Sequence, residues 1–227
     1  HIGIPLTVID VRAELEEKVC RPFLQSYLRG ETPNPCILCN PLLKFRNLLS
    51  AADRLGADYI ATGHYARVEK DEQTGRFLLK KALDETKDQS YVLFTLTQQQ
   101  LAHIQFPLGG MTKAEARVVA EEQGFVTAHK HDSQDICFIP DGDYAAFLVR
   151  YAGKTYAPGD FVGAEGHVLG EHKGIIRYTI GQRKGLGIAS ESPLFVTKLN
   201  MDKNEVVLSH GEGLFARHIR INDINLI

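Results

Sequence analysis

One change of pattern constrains this chain more than anything else in it. Up to about Tyr151, apolar residues recur at helical spacing between short β-branched runs. Beyond that point Gly-rich turns separate short β runs (DFV, HVLG, GIIRYTI, PLFVTKL and EVVLS) at roughly eight- to twelve-residue intervals. The first pattern predicts an α/β layer with a parallel sheet, and the second a small all-β, barrel-like domain. At 227 residues the chain has room for both. With 44% hydrophobic and 24% charged residues it lies outside the disordered and low-complexity classes.

Local signals fill in the first part. Leu6–Val11 alternates and reads as a buried strand. A helix is expected over Ala13–Arg29, with Val19, Phe23, Tyr27 and Leu28 on one side, Gly30 as its stop and Pro22 as a source of a kink. A second is expected over Pro41–Leu55, with Asn40 as N-cap and Leu42, Phe45, Leu49 and Ala52 as its apolar stripe. Asp58–Thr62 reads as a short strand, Arg67–Glu69 and Phe77–Lys81 as a hairpin, and Gln98–Ile104 and Lys113–Gln123 as helices. Thr112 and Glu115 have capping-box spacing, and Asp141 is the expected cap of a helix ending near Tyr151.

No apolar run approaches the ~18 residues of a membrane span, and the first residues lack the features of a signal peptide. Four cysteines at this length favour a reducing compartment, hence a cytoplasmic location. The net charge of −2 argues against a generic polyanion binder and leaves room for a local nucleic-acid surface.

The chemistry-bearing residues cluster around the thiols. Cys36 and Cys39 form a C-x-x-C read as lying just before a helix, where the positive helix end favours a thiolate. The same spacing suits half a zinc site, with Cys137 and His131 as recruits, or a dithiol redox motif. Cys137 is open between a buried strand residue and a reactive thiol, whereas Cys20 reads as core.

Six segments in order (TPNPCILCN at 32–40, LGADYIATGHYA at 55–66, KDQSYVL at 87–93, FPLG at 106–109, DSQDICFI at 132–139 and YTIGQRKGLGI at 178–188) resemble the tRNA-specific 2-thiouridylase family. The resemblance implies an α/β fold: a partial adenine-nucleotide alpha hydrolase-like (PP-loop) domain with a parallel sheet, then a small β-rich central domain. The implied boundaries are 1–146 for an incomplete catalytic domain, 147–212 for the central domain, and 213–227 for the start of a truncated C-terminal β-barrel.

The activity so implied is that of a tRNA-uridine 2-sulfurtransferase. ATP adenylates the 2-oxygen of the wobble uridine, and a cysteine persulfide supplies the sulfur. The family pattern makes Cys137 the persulfide carrier and Cys39 its nucleophilic or resolving partner, with a disulfide between them as a by-product. Asn34, Pro35 and Cys36 match the contact to the target base, where members carry Asp or Cys at the position of Cys36. Gly63 matches an ATP contact; His64, Lys87, Asp88, Gln89, Arg183 and Lys184 match tRNA contacts. The implied partners are tRNA and a cysteine desulfurase or persulfide-carrier protein, with no membrane, and no metal is implied.

The family's Gly-Ser-rich pyrophosphate loop has no match here, and the chain opens without Met, so a fragment is expected that binds ATP weakly and is inactive alone. Three other readings compete: a C-x-x-C redox protein, a zinc module that binds RNA, and a different PP-loop thiolation enzyme, the last lacking the TPNPC and YTIGQRKGLGI segments in this arrangement.

Overall fold

A computed structural model describes residues 3–129, 136–139, 141–222 and 224–227. The chain divides into two compact units: His1–Val19 with Pro35–Asp132 and Asp223–Ile227, and Cys20–Asn34 with Ser133–Asn222.

In the first unit a parallel pair, β1 (Ile60–Ala61) and β4 (Ile104–Gln105), is extended by backbone bonds from Ile60 N to His103 O and from Thr62 N to Gln105 O. The hairpin β2 (Ala66–Lys70) and β3 (Phe77–Lys81) pairs as the sequence predicts. Helix α5 (Gln98–Ala102) is shorter than expected, since Ile104 leaves the helix to join β4. Its start carries a second capping box, Thr97 with Gln100. Helix α6 (Lys113–Glu122) begins on the predicted Thr112–Glu115 box. Phe45, Ile60, Ala66, Leu93, Leu96, Leu101, Ile104 and Phe106 form the core, against which Ile227 also packs.

Two helical runs depart from the α pattern at their prolines. The first runs from α1 (Arg12–Leu15) through a π segment (Glu16–Cys20) into α2 (Arg21–Leu28). The second starts at α3 (Pro35–Cys39) and passes through a π segment (Asn40–Phe45) into α4 (Arg46–Leu55). Pro22 and Pro41 have no N–H to return to the carbonyl four residues back, and the wider π turn absorbs the missing bond.

The second run corrects three expectations. The helix begins at Pro35 instead of Pro41, because Pro35 is itself well suited to a first helical position. Asn40 is no cap: it is buried, and its Nδ2 donates to Val92 O at 3.0 Å. The extra residue of the π turn shifts the stripe, so Leu43 is 3% exposed and Leu42 38%.

Leu6–Val11 is not a strand. No described strand pairs with it, and Leu6 and Val8 stand 89% and 83% exposed. Alternation fixes the two faces of a strand but does not supply the neighbour that takes its hydrogen bonds.

The second unit holds a four-stranded sheet of order β6-β5-β8-β7, made from β5 (Gly159–Gly163), β6 (Val168–His172), β7 (Phe195–Asn200) and β8 (Glu205–Ser209). Neighbouring strands run antiparallel except β5 and β8, which are parallel. GIIRYTI is not a strand: Ile175–Arg177 forms a 3-10 turn that buries Ile175, Ile176 and Tyr178 in the core with Phe161, Val196, Val206 and Leu208. Its apolar run is core filling entered through Gly174, whose φ of 109° breaks strand geometry. His172, fully buried, receives Gly174 N–H on Nδ1 and faces Asn204 O with Nε2 at 3.0 Å. Helices α2 and α7 (Tyr144–Ala152) pack on this unit, with Tyr27 stacked on Tyr144. Helix α7 is capped by Asp143, whose Oδ1 accepts from Ala146 N at 2.8 Å; the expected Asp141 lies one turn residue too early and accepts from Asp143 N instead.

Candidate functional site

In the first unit, β1 ends at Ala61 and the chain passes through Thr62, Gly63, His64 and Tyr65 to β2. The carboxyl end of a parallel strand is where α/β sheets bind ligands. Gly63 has no steric reason to be glycine: its φ is not left-handed, and a Cβ there would meet only Leu108 Cδ1 at an ordinary 3.7 Å. The bare backbone at the strand end is thus available to an incoming group.

His64 is half-buried. Its Nδ1 lies 2.8 Å from Thr62 Oγ1, and its ring packs 5.7 Å from Phe45 and 5.9 Å from Phe106. Burial first, and then the charge of Lys44, push its pKa down to about 4. The ring is therefore neutral at neutral pH. An unfolded chain takes up this proton near pH 6.5 and the folded one only near 4, so stability is complete above 6.5 and falls as pH drops towards 4. His64→Gln should remove about 2 kcal/mol of that loss, discounted for partial exposure. Urea unfolding of both proteins at pH 7 and pH 4.5 checks this.

Two further segments join the strand end. Gln89 and Tyr65 exchange bonds, Gln89 N to Tyr65 O and Tyr65 N to Gln89 Oε1 at 3.0 Å. Asp88 accepts from Ala82 N at 2.8 Å and from Ser90 Oγ at 2.7 Å. The side chains of Asp88 and Gln89 thus shape the 82–92 loop, and Lys87 beside them is half-buried. The helical run 35–55 reaches the same cluster, through Asn40 to Val92 O and through the Phe45 ring to His64.

The C-x-x-C lies in the first turn of that run, not ahead of it: Cys36 is exposed and Cys39 half-buried. Pro35 is buried and Asn34 half-buried. Ile37, on the core side of the turn, packs against the first unit's core.

In the second unit Cys137 is exposed at the corner of a turn closed by Ile139 N donating to Ile136 O at 2.8 Å. Apolar side chains pin the turn: Ile139 is buried, and Phe138 packs 5.5 Å from Phe23 and 5.4 Å from Phe147. The evenly open reading of Cys137 thus resolves towards an accessible thiol on a fixed platform. The rest of DSQDICFI, and His131, lie outside the described residues. Cys20 is buried, as expected.

Arg183 and Lys184 are exposed on a separate loop shaped by left-handed Gly181, Gly185 and Gly187. Gln182 ties that loop to β7 by accepting from Val196 N, and to itself by accepting from Thr179 N and donating to Lys184 O. Leu186 anchors it in the core. The residues that sequence reasoning did not single out are the supports: Tyr65, Ser90 and Gln182 lie inside the matched segments, and only their partners reveal what they hold.

None of the four cysteines is in a disulfide. Among the described residues no group of three or more His, Cys, Asp or Glu side chains could hold a metal ion, and no helix is long and apolar enough to cross a membrane.

A parallel-sheet α/β unit with thiols and a bare strand end, followed by a small β-rich unit, is the arrangement of a HUP domain followed by a PRC-barrel. Residues 1–141 match the family described as tRNA methyl transferase HUP domain, and residues 145–210 the tRNA methyl transferase PRC-barrel domain. The chain belongs to this family. It is 48% identical over 226 residues to the tRNA-specific 2-thiouridylase MnmA of Clostridioides difficile (strain 630), covering 100% of this chain and 63% of that protein. It is 49% identical to MnmA 1 of Caldanaerobacter subterraneus subsp. tengcongensis and 50% identical to MnmA of Syntrophotalea carbinolica, covering 62% and 64% of those proteins. The chain thus spans just over three fifths of the length of these relatives.

Proposed function

We propose that the protein, at the full length of its relatives, is a cytoplasmic sulfurtransferase that converts the wobble uridine of tRNA to 2-thiouridine. The observation that carries this reading is the exposed Cys137 on its pinned turn, in a chain that also presents Cys39 and Cys36 on one helical turn. The relatives' names support sulfur as the transferred group.

The uracil C2 is a poor electrophile and its oxygen a poor leaving group. ATP, when bound, supplies the adenylyl group that makes that oxygen leave as part of AMP. Gly63 fits one edge of such a nucleotide site, because its backbone is open where a side chain could stand. The nucleophile must be strong at neutral pH, which a persulfide on Cys137 satisfies. Its terminal sulfur attacks C2 as AMP departs. The Cys39 thiolate then attacks Cys137 Sγ, leaving sulfur on the base and a Cys39–Cys137 disulfide that a reductant returns to thiols.

A base inside a stacked anticodon loop must be extruded to be reached, and Asn34, Pro35 and Cys36 form the floor that receives it. His64, Lys87, Asp88, Gln89, Arg183 and Lys184 face the tRNA, the cations contributing phosphate contacts and Asp88 and Gln89 holding the loop that presents Lys87. The sulfur comes from a cysteine desulfurase or a persulfide carrier. We read the layout as 1–146 catalytic, 147–212 central and 213–227 the start of a barrel domain.

The family description names methyl transfer instead. The two readings differ in outcome: sulfur transfer needs ATP and a persulfide donor and is blocked by thiol alkylation, whereas methyl transfer needs a methyl donor and no persulfide. Arg183→Ala and Lys184→Ala should each weaken tRNA binding by about 0.5–1 kcal/mol and flatten its salt dependence. Filter binding from low to physiological salt checks this, and an unchanged salt slope would remove both residues from the interface.

A further inference from the structure

We propose that Cys36 is the resolving thiol for Cys39, forming a Cys36–Cys39 disulfide within one helical turn whenever Cys39 is held in a disulfide with another group. This rests on the reading that Cys39 handles sulfur. Residues three apart on a helix share a side, with Cβ atoms ~5–6 Å apart, and a disulfide needs ~3.5–4.5 Å. The pair lies in the first turn of the run that begins at Pro35. Closure there strains only the first ladder bonds of the run, at the end where helices fray and fewest bonds hold the backbone. Ile37 against the core and Asn40 on Val92 O hold the rest of the turn while it closes. Cys36 is exposed and Cys39 half-buried, so a group bonded to Cys39 can be displaced from the solvent side.

The exchange balances without an added oxidant. The Cys36 thiolate attacks Cys39 Sγ in Cys39–S–S–R, the S–S bond to R breaks, and R leaves as a thiolate that takes up the proton Cys36 lost. A dithiol reductant then returns both cysteines to thiols and is itself oxidised to its disulfide. Because the attacking thiol is one turn away, this step outruns attack by an external thiol.

The test uses the whole 227-residue chain with Cys137→Ser, treated under native conditions with one equivalent of dithiobis(nitrobenzoate). The proposal expects a second equivalent of thionitrobenzoate to follow the first, and an intact mass lower by two hydrogens with no adduct. Adding Cys36→Ser should stop release at one equivalent and leave the adduct on Cys39; circular dichroism confirms that the exposed-site variant is folded. A lasting adduct with Cys36 present, or the same stoichiometry without Cys36, overturns the proposal. The experiment contains no tRNA, so closure of the pair in a protein that does not thiolate tRNA would overturn the functional reading and leave this one standing.

Discussion

Cys137→Ser and Cys39→Ser, each made in the protein at the length of its relatives, should lower tRNA thiolation by about three orders of magnitude or more, because each removes a nucleophile that nothing else replaces. The double variant should be no worse than either single one, since the two thiols act in one sequence of steps. Release of pyrophosphate from ATP as the base is adenylated should survive, because that step needs neither thiol. Cys20→Ser is the control. Cys20 is buried, so it should cost about 1 kcal/mol of stability and leave thiolation intact. Mobility in a mercury-containing gel reads thiolated tRNA directly, and thiolated product from either active-site variant would remove that residue from the chemistry.

Gly109→Ala should be the most damaging small substitution in the first unit. A Cβ at this position would lie 1.6 Å from Ala66 O, where β2 begins, and Ala66 is fully buried. Neither side can yield easily: Gly109 O accepts from Leu83 N at 2.9 Å, and Ala66 opens the ladder with β3. We expect a loss of about 3 kcal/mol or more. Gly110→Ala, with nothing within 4 Å of its Cβ, should cost less than about 1 kcal/mol. Denaturant midpoints of the two variants side by side decide it, and similar values would mean that the approach of 109 to β2 is looser than described.

What the sequence made legible is what short-range chemistry encodes. The hairpin around Asp71–Gly75, the Thr112–Glu115 box and the burial of Val19, Phe23 and Tyr27 follow from turn residues, caps and periodicity. What it hid depends on partners distant in the chain. Leu6–Val11 has the alternation of a strand and no described neighbour, while GIIRYTI has the composition of a strand and serves as a buried turn. Pro41 reads as a helix start, yet the helix already begins at Pro35 and passes Pro41 in a π turn, which moves Leu43 inward in place of Leu42.

The site divides in the same way. The thiols and the basic loop could be named from motifs. The accessibility of Cys137 could not, because it depends on Phe138 and Ile139 gripping a core built from residues on both sides of them in the chain. Asp88 and Gln89 were legible as a motif, but their grip on Ala82 and Tyr65 was not. FPLG was legible only as a resemblance, and the structure supplies its reason: the glycine lets the turn at Pro107–Gly110 lie against β2.

The most direct test of the central claim is nucleoside analysis by mass spectrometry of tRNA incubated with the protein at the length of its relatives, ATP and a persulfide donor. The account predicts wobble uridine with sulfur in place of the 2-oxygen, dependent on ATP and on the donor and abolished by Cys137→Ser. A methylated nucleoside formed with a methyl donor, or thiolation that persists in Cys137→Ser, would contradict it.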